Sequence, residues 1–210
     1  MPHDEYNWIA WGYDSLIEPF NRSLRSVAFR FFQPAAGTTI LDVGCGTGTQ
    51  LAFYRQKGFR PIGIDLSAAM LGKARDRLDH GILVCRGDAT RLPYRSRSVD
   101  WALSMLVLHE MDAPIRPAVL KEMTRVIKEN GRLGIVDYHP EETPTLKGWV
   151  SRAMIRSIEF AAGRRHYRSY RHFLTDGGIP MLAARHGLVV ERQKRVSGGN
   201  IGIYRLRRAS

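Results

Sequence analysis

A strand, a glycine loop and a helix follow one another in the segment Ile40-Leu41-Asp42-Val43-Gly44-Cys45-Gly46-Thr47-Gly48-Thr49. The apolar run 38–43 is rich in β-branched residues and predicts a buried strand. The pattern after the glycines predicts a short helix that ends at Gly58. Glycine at alternate positions lets the backbone approach a ligand closely, because no side chain stands where the ligand must lie.

Apolar runs alternate with helical stretches of about ten to fifteen residues through the first two thirds of the chain. Strands are predicted at 38–43, 61–65, 82–85, 99–104 and 132–138. This alternation predicts an α/β fold with a mainly parallel sheet and helices on both faces. Two further strands, 188–196 and 201–206, are joined through Ser197-Gly198-Gly199-Asn200 and predict an antiparallel terminal hairpin.

Helices are also predicted outside these strands, from the spacing of apolar residues. An N-terminal amphipathic segment runs from Ile9 to Phe32, and Pro19 is expected to divide it into two helices. A helix at 114–129 is expected to stop at Asn130-Gly131. Another amphipathic helix covers 146–162 and is followed by a basic linker, Arg164-Arg165-His166, and a short helix at 179–186.

The predicted organisation is a single domain, 1–210. It consists of an N-terminal helical cap (1–35), a core (36–140), a basic helical lid inserted between strands five and six (141–178), and a terminal helix with the hairpin (179–210). A chain of 210 residues can bury a core large enough to fold without staples. Cys45 and Cys85 have neither metal-ligand nor disulfide-framework spacing, so no metal is expected.

Three features of the sequence predict the location of the protein. Free cysteines fit a reducing compartment, the first residues lack the pattern of a signal peptide, and the longest apolar run, 101–108, is too short to span a membrane. We expect a cytoplasmic protein, with peripheral membrane contact as a variant of that expectation.

Positive charge is concentrated in the last third of the chain. The formal net charge is +12, but residues 147–210 contain 14 basic and 3 acidic side chains, so the first 146 residues are nearly neutral. A basic excess of this size indicates nucleic acid or an anionic membrane as a partner class. Its position implies that charge concerns this terminal region rather than the glycine loop.

An acidic residue supports the glycine loop as a nucleoside site. Asp65 ends the second predicted strand, where a carboxylate can accept both hydroxyls of an adenosine ribose. A dinucleotide fingerprint would place glycine at position 49, but Thr49 stands there and the glycine falls at 48.

Four segments together resemble the class I S-adenosylmethionine-dependent methyltransferases. The spacing Asp-x-Gly-x-Gly-x-Gly at 42–48 resembles the first motif of that family. Residues 62–71, 86–94 and 98–109 resemble its second motif, its third motif and its fourth strand with the following loop. Leu92-Pro93-Tyr94 and Val107-Leu108-His109 are most similar to the ubiquinone and menaquinone biosynthesis C-methyltransferases.

The resemblance implies a three-layer Rossmann-like fold with seven strands and S-adenosylmethionine as cofactor, released as S-adenosylhomocysteine. By that resemblance the glycines pass under the methionine part, Asp42 orients the loop and the amino group, and Asp65 binds the ribose. The implied cofactor-binding residues are Asp42, Gly44, Cys45, Gly46, Gly48, Asp65, Leu66, Asp88, Ala89 and Met105. Read singly, each has a structural alternative as a turn, a helix cap or the start of a loop.

Three side chains are candidates for the acceptor side. His109 follows the fourth strand and is the first candidate for a base that removes a proton from the acceptor. His139, after the fifth strand, is the second, and Tyr13 of the N-terminal segment is expected to close the pocket. The alternatives are a buried histidine satisfied by backbone and ordinary aromatic packing.

The acceptor class stays open between three functions. The first is a small-molecule methyltransferase with a hydrophobic or lipid-like acceptor such as a quinone precursor. The second is an RNA methyltransferase that uses the basic terminal third, although no base-flipping motif follows strand four. The third is a non-catalytic cofactor-binding protein. Residues 147–171 either lie on an anionic membrane or form a lid packed on the core; the sequence does not indicate the oligomeric state.

Overall fold

The computed structural model describes residues 10–78, 81–140 and 145–209, without the side chains of residues 10–17 and 19. The strands are β1 (Thr39–Val43), β2 (Arg60–Asp65), β3 (Leu83–Arg86), β4 (Val99–Met105), β5 (Ile127–Tyr138), β6 (Leu188–Val196) and β7 (Ile201–Arg208). The helices are α1 (Ala10–Phe32), α2 (Thr49–Gln56), α3 (Ala68–Arg77), α4 (Ile115–Val126), α5 (Leu146–Ala161), α6 (Arg164–Thr175) and α7 (Gly178–Arg185). Short 3₁₀ turns lie at Ala89–Arg91 and Ser197–Gly199.

The strands form one seven-stranded sheet in the order β3-β2-β1-β4-β5-β7-β6. The first five strands run parallel, and β7 pairs antiparallel with both β5 and β6. The predicted α/β sheet with a terminal hairpin is therefore confirmed. The strand order reverses between β1 and β4, and ligands of such sheets bind at the carboxyl ends of the strands beside this reversal.

The core explains the strand pattern. Strand β1 is buried along nearly its whole length, and its neighbour β4 and the next strand in the sheet, β5, are mostly buried too. Strands covered on both faces need continuous apolar runs rather than alternation, which is what the sequence has. At the start of α3, the Ser67 hydroxyl caps the helix by accepting the N–H of Met70 at 3.2 Å.

Helix α1 is continuous through Pro19, so the predicted division into two helices is wrong. Proline removes one intrahelical hydrogen bond, but it does not remove the packing that stabilises the helix. Here Leu24, Ala28 and Phe32 are buried in the core. Their tertiary contacts stabilise the helical segment that follows the proline.

The predicted helix end at Asn130-Gly131 is also wrong. Helix α4 ends at Val126, and β5 begins at once, with Ile127 paired to Val99. The register then shifts to Trp101 opposite Arg132, so residues 128–131 bulge out of the ladder. A β-carbon on Gly131 would lie 3.0 Å from the backbone oxygen of Asp100, so this glycine permits a close approach of strands rather than a helix cap.

The predicted basic linker is the first turn of α6. The sequence reading missed this helix, whose inward face is formed by Ser169, Tyr170 and Phe173. Arg116 of α4 attaches α6 to the loop after β4, because it donates to the backbone oxygens of Leu108 at 3.0 Å and Ser169 at 2.7 Å.

Helix α5 has the predicted apolar face, but that face points outward. Its buried residues are Gly148, Ile155 and Glu159, on the opposite side. The exposed apolar residues are Leu146, Trp149, Val150, Met154, Ile158 and Phe160. The apolar face predicted from the sequence is therefore not the face that packs on the core; Ile155, on the buried side, makes that contact.

A contact between two glycines fixes α5 against the hairpin. A β-carbon on Gly198 would lie 2.6 Å from the α-carbon of Gly148, so only glycine allows this approach. The Asn200 amide donates to the Gly148 backbone oxygen at 2.8 Å. Within the part of the chain that is described, no helix is long and apolar enough to cross a membrane.

Candidate active site

The glycine loop after β1 leaves open space at one of its three glycines. Gly44, Gly46 and Gly48 all have positive φ angles of 78°, 53° and 76°, a conformation that side chains disfavour. A β-carbon on Gly44 would collide with Val107, and one on Gly48 would press on Leu78. A β-carbon on Gly46 would meet no atom within 4 Å. The loop is therefore closed against the protein at its ends and open at its centre.

Asp65 connects this loop to the next helix. Its Oδ2 accepts the backbone N–H of Gly46 and its Oδ1 accepts that of Ser67, each at 2.8 Å. The carboxylate thus stands at the end of β2, beside the open part of the loop, where the sequence places a ribose. Leu66, next to it, is 67% exposed and leaves an apolar surface beside the carboxylate.

Asp42 lies beneath the loop in a dry environment. It is buried, and Gln50 donates to its Oδ1 at 2.9 Å. Desolvation raises the pKa of Asp42 to about 7, against the opposing effects of the Gln50 hydrogen bond and the Arg25 charge. A cation bound nearby would favour the ionised carboxylate.

Arg25 of α1 is a site residue that the sequence reading missed. Its guanidinium is buried, pairs with Glu18 at 3.0 Å and donates to the Thr49 hydroxyl at 3.0 Å. It therefore brings positive charge to the start of α2, at the end of the glycine loop. The available signal was an arginine among the core residues Leu24 and Ala28 of an amphipathic helix.

The remaining predicted cofactor residues lie around the same edge. Asp88 is exposed and its Oδ1 accepts the Thr90 N–H at 2.8 Å, so it caps the 3₁₀ turn that begins at Ala89. Cys45 is buried, and desolvation raises the pKa of its thiol. Met105 ends β4, and its neighbour Leu106 has a φ of 57°. Strained non-glycine residues of this kind cluster at functional sites.

His109 is held by Asp137 at the carboxyl ends of β4 and β5. Its Nδ1 lies 2.7 Å from Asp137 Oδ1, and Asp137 Oδ2 accepts the N–H of Leu108 at 3.0 Å. The His109 ring is only 2% exposed and packs against Tyr138, with ring centroids 4.5 Å apart. Asp137 therefore fixes both the imidazole and the loop that carries it.

Two residues of the inserted helices face the other nitrogen of His109. Glu159 Oε2 lies 3.7 Å from His109 Nε2 and 2.6 Å from His166 Nε2. The Tyr138 hydroxyl donates to Glu159 Oε1 at 2.7 Å. We call His109, Asp137, Tyr138, Glu159 and His166 the buried polar cluster. Sequence reasoning missed Asp137, Glu159 and His166; an acid inside the apolar run of β5 was the only signal.

The charge of His109 follows from these neighbours. Desolvation by itself would lower the pKa of His109, but the Asp137 carboxylate outweighs it, assisted by Glu159 and Glu110, and raises the pKa to about 9. The ring is therefore protonated at neutral pH. A protonated imidazole donates a hydrogen bond and stabilises negative charge.

His139, the second acceptor-side candidate, packs against the terminal hairpin. His139 is buried against the hairpin, with its Nδ1 2.6 Å from the Tyr204 hydroxyl. Its backbone N–H donates to Asn200 at 2.8 Å. Tyr13 lies in α1, but its side chain is outside the described residues, so its predicted role stays a prediction.

Comparisons with known proteins find methyltransferases, in agreement with the motif of the glycine loop. A family model described as a methyltransferase domain matches residues 40–131. Methyltransferase GfsG of Streptomyces halstedii is 28% identical over 196 residues, 85% of this chain and 67% of that protein. Demethylmenaquinone methyltransferase of Lactobacillus johnsonii is 32% identical over 162 residues, 71% of this chain and 66% of that protein.

Solved structures share the fold. The methyltransferase in a complex with the Haloferax volcanii Trm112 methyltransferase activator superposes with a TM-score of 0.71 at 20% identity, covering 99% of this chain and 98% of that one. A SAM-dependent methyltransferase from Aquifex aeolicus gives 0.64 at 21% identity, over 87% and 88% of the two chains.

The fold, the glycine loop and the relatives together indicate a protein with a Rossmann-like sheet that binds S-adenosylmethionine. The chain belongs to the class I S-adenosylmethionine-dependent methyltransferases. The residues present fit this cofactor, because Gly46 has open space at its α-carbon and its N–H donates to the Asp65 carboxylate at 2.8 Å.

Proposed function

We propose that the protein transfers the methyl group of S-adenosylmethionine to a small, hydrophobic or lipid-like acceptor. The observation that carries the proposal is that the glycine loop after β1 and the buried polar cluster after β4 and β5 stand at one edge of the sheet, because these strands are parallel neighbours. A methyl donor in the loop and an acceptor held at the cluster would meet there.

The cofactor supplies an electrophilic methyl group, which transfers by a one-step in-line displacement. Because the donor is intrinsically reactive, the protein contributes mainly by binding, orienting and drying the two partners. In the proposed arrangement Gly46 leaves room for the methionine part, Asp65 accepts the ribose hydroxyls and Asp42 balances the ammonium charge. Met105, at the end of β4, lies on the sulfonium side.

His109 is proposed to act on the acceptor. Two buried carboxylates, Asp137 and Glu159, face its ring and keep positive charge on it. Such a group stabilises a phenolate or enolate oxygen, so it favours binding of an acceptor that has already released its proton to solvent. This role replaces that of a neutral base, which the sequence alone favoured.

The acceptor class is supported by relatives and by aromatic lining. Among the relatives, the Lactobacillus johnsonii protein and several Listeria proteins are named demethylmenaquinone methyltransferases, whose name denotes a quinone lipid acceptor. In this chain the cluster is surrounded by Tyr138, Tyr170 and Phe173, whose rings lie 4.5, 6.3 and 6.5 Å from that of His109. An aromatic enclosure suits a flat apolar acceptor.

We further propose that α5 and α6 dock on an anionic membrane surface. Trp149 of α5 is 74% exposed and Phe160 is 66% exposed, on a face with four more apolar side chains. The exposed face of α6 adds Arg164, Arg168 and Arg171. A basic, amphipathic surface with aromatic residues is typical of helices that lie in a membrane interface. Because Glu159 enters the cluster from the opposite side of α5, this helix would link membrane contact to acceptor entry.

A labelling experiment tests the function. The protein is incubated with methyl-labelled S-adenosylmethionine and a cell extract separated into organic-soluble, nucleic-acid and protein fractions. We expect label in the organic-soluble fraction. Label in RNA or DNA would contradict the proposal and favour a nucleic-acid methyltransferase. A protein that binds the cofactor but labels no fraction would favour the non-catalytic alternative.

A further inference from the structure

The buried polar cluster contains a set of metal ligands drawn from three places in the fold. We propose that His109, Glu159 and His166 bind one divalent first-row transition-metal ion, of the class of Zn²⁺, Fe²⁺ or Mn²⁺. One donor atom from each residue lies within 4.8 Å of the other two. His109 is 2% exposed and Glu159 is 4% exposed, so these donors are withdrawn from water.

The spacing of the donors fits an ion between them. Ligand atoms around a four-coordinate Zn²⁺ lie about 3.3 Å apart, given bonds of about 2.0 Å. Glu159 Oε2 lies 2.6 Å from His166 Nε2 and 3.7 Å from His109 Nε2, on either side of that value. Small side-chain shifts would equalise them.

Glu159 Oε2 is buried, and its nearest partner is His166 Nε2 at 2.6 Å. In the structure these two atoms form an ion pair with each other. An ion placed between the three donors would replace this contact and bind both atoms, with the loss of any proton on His166 Nε2.

The other atom of each deeply buried ligand is already engaged. His109 Nδ1 lies 2.7 Å from Asp137 Oδ1, and Glu159 Oε1 accepts the Tyr138 hydroxyl at 2.7 Å. Metal-binding histidines usually donate their second N–H to a carboxylate, and metal-binding carboxylates are themselves hydrogen-bonded. These contacts turn His109 Nε2 and Glu159 Oε2 toward the proposed ion.

The donor set selects the kind of ion. Two imidazoles and one carboxylate suit Zn²⁺ or Fe²⁺, whereas Mg²⁺ and Ca²⁺ prefer oxygen ligands throughout. Two buried carboxylates, Asp137 and Glu159, supply negative charge that a dication offsets. Three protein ligands also leave a coordination position open, as in catalytic rather than structural sites.

The open coordination position could hold an oxygen of the methyl acceptor, a role that rests on the proposed function. An acceptor oxygen bound there would be polarised by the ion, which would lower the pKa of a phenol or enol so that its proton passes to solvent. Coordination requires the neutral imidazole, so metal binding would release the Nε2 proton of His109, and the ion would supply the positive charge that the imidazolium carries in its absence.

Metal binding can be measured without any methyl acceptor. Protein stripped with a chelator is titrated with Zn²⁺ by calorimetry, and with Co²⁺ while its visible absorption is recorded. We expect one tight ion per chain and a low-coordinate Co²⁺ spectrum. His166→Ala, which changes the least buried ligand, should weaken binding at least tenfold, and Tyr138→Phe should weaken it about tenfold as an outer-shell change.

His186→Ala is the matched control, because His186 is an exposed histidine at the end of α7. It should leave the tight site intact. Equal binding by His166→Ala and the unaltered protein, or the absence of a tight site, would overturn the proposal. S-adenosylmethionine binding, titrated separately, reports whether each variant is folded and tests the proposed function independently of the metal.

Discussion

Glu159 and His109 are 50 positions apart in the chain, yet Glu159 Oε2 lies 3.7 Å from His109 Nε2. One residue comes from the helical insertion before the hairpin, and the other follows a core strand. Their meeting joins the inserted helices to the edge of the sheet at which the glycine loop ends.

Gly46 is expected to matter for binding rather than only for backbone conformation. Gly46→Ala should weaken S-adenosylmethionine binding about tenfold or more, because its β-carbon enters the open space of the loop. Forcing alanine into a left-handed conformation should also cost about 1–2 kcal/mol of folding free energy. Calorimetric titration and urea denaturation measure the two effects.

Gly58→Ala is the matched control for that change. Gly58 has a φ of 81°, and a β-carbon there would also meet no atom within 4 Å, but it lies after α2. It should lose similar stability and keep cofactor affinity. Equal affinities in both variants would show that the Gly46 space is not the cofactor site.

Asp65→Ala is expected to weaken S-adenosylmethionine binding by about 10- to 100-fold. The change removes the acceptor of the ribose hydroxyls, and hydrogen bonds to charged groups contribute about 1.5–3 kcal/mol. Asp76→Ala, an exposed acid on α3, serves as the control. Unchanged affinity in Asp65→Ala would refute the ribose assignment.

Asp42 should make stability depend on pH. Its pKa is about 7 when folded and 3.8 when unfolded, so the folded state binds the proton more tightly. The protonated Asp42 therefore adds to the free energy of unfolding below about pH 4. This added stability is lost as pH rises to 7, a change on the order of 4 kcal/mol. Urea denaturation from pH 4 to 8 should show this loss, and Asp42→Asn should remove it. The same pH dependence of the free energy of unfolding in Asp42→Asn and in the unaltered protein would contradict the raised pKa of Asp42.

The exposed face of α5 should govern membrane binding. Trp149→Gln with Met154→Gln should reduce partition into phosphatidylglycerol vesicles at least tenfold, because both side chains are exposed and apolar. Arg168→Gln should weaken the free energy of vesicle binding by about 1 kcal/mol, and this difference should shrink as the salt concentration rises. Sedimentation with vesicles measures both.

Matched changes elsewhere on the surface complete that test. Leu83→Gln replaces an exposed leucine of β3, and Arg95→Gln replaces an exposed arginine, so neither should affect partition. Vesicle binding that is insensitive to the α5 changes would refute the membrane surface. Preferential binding to RNA, reduced by Arg168→Gln, would instead favour the nucleic-acid alternative.

The sequence by itself determined the cofactor half of the molecule. Gly44 to Gly48, Asp65 and the strand pattern are local signals, since each depends on residues adjacent in the chain or on the period of one strand. Parallel strands then bring their carboxyl ends to one edge, so the motif positions imply the site. The helix boundary near Asn130 was mispredicted because strand pairing between Ile127 and Val99 overrides a local turn signal.

Only the tertiary structure decided the part of the molecule that we propose holds the acceptor. Helical periodicity identified an apolar face on α5, but periodicity does not say which face meets the core. The Gly148–Gly198 contact fixes that orientation, turning Trp149 outward and Glu159 inward. Asp137, Glu159 and His166 come from separate elements, so no spacing in the sequence relates them to His109. Their chemistry exists because long-range packing removes them from water and brings them together.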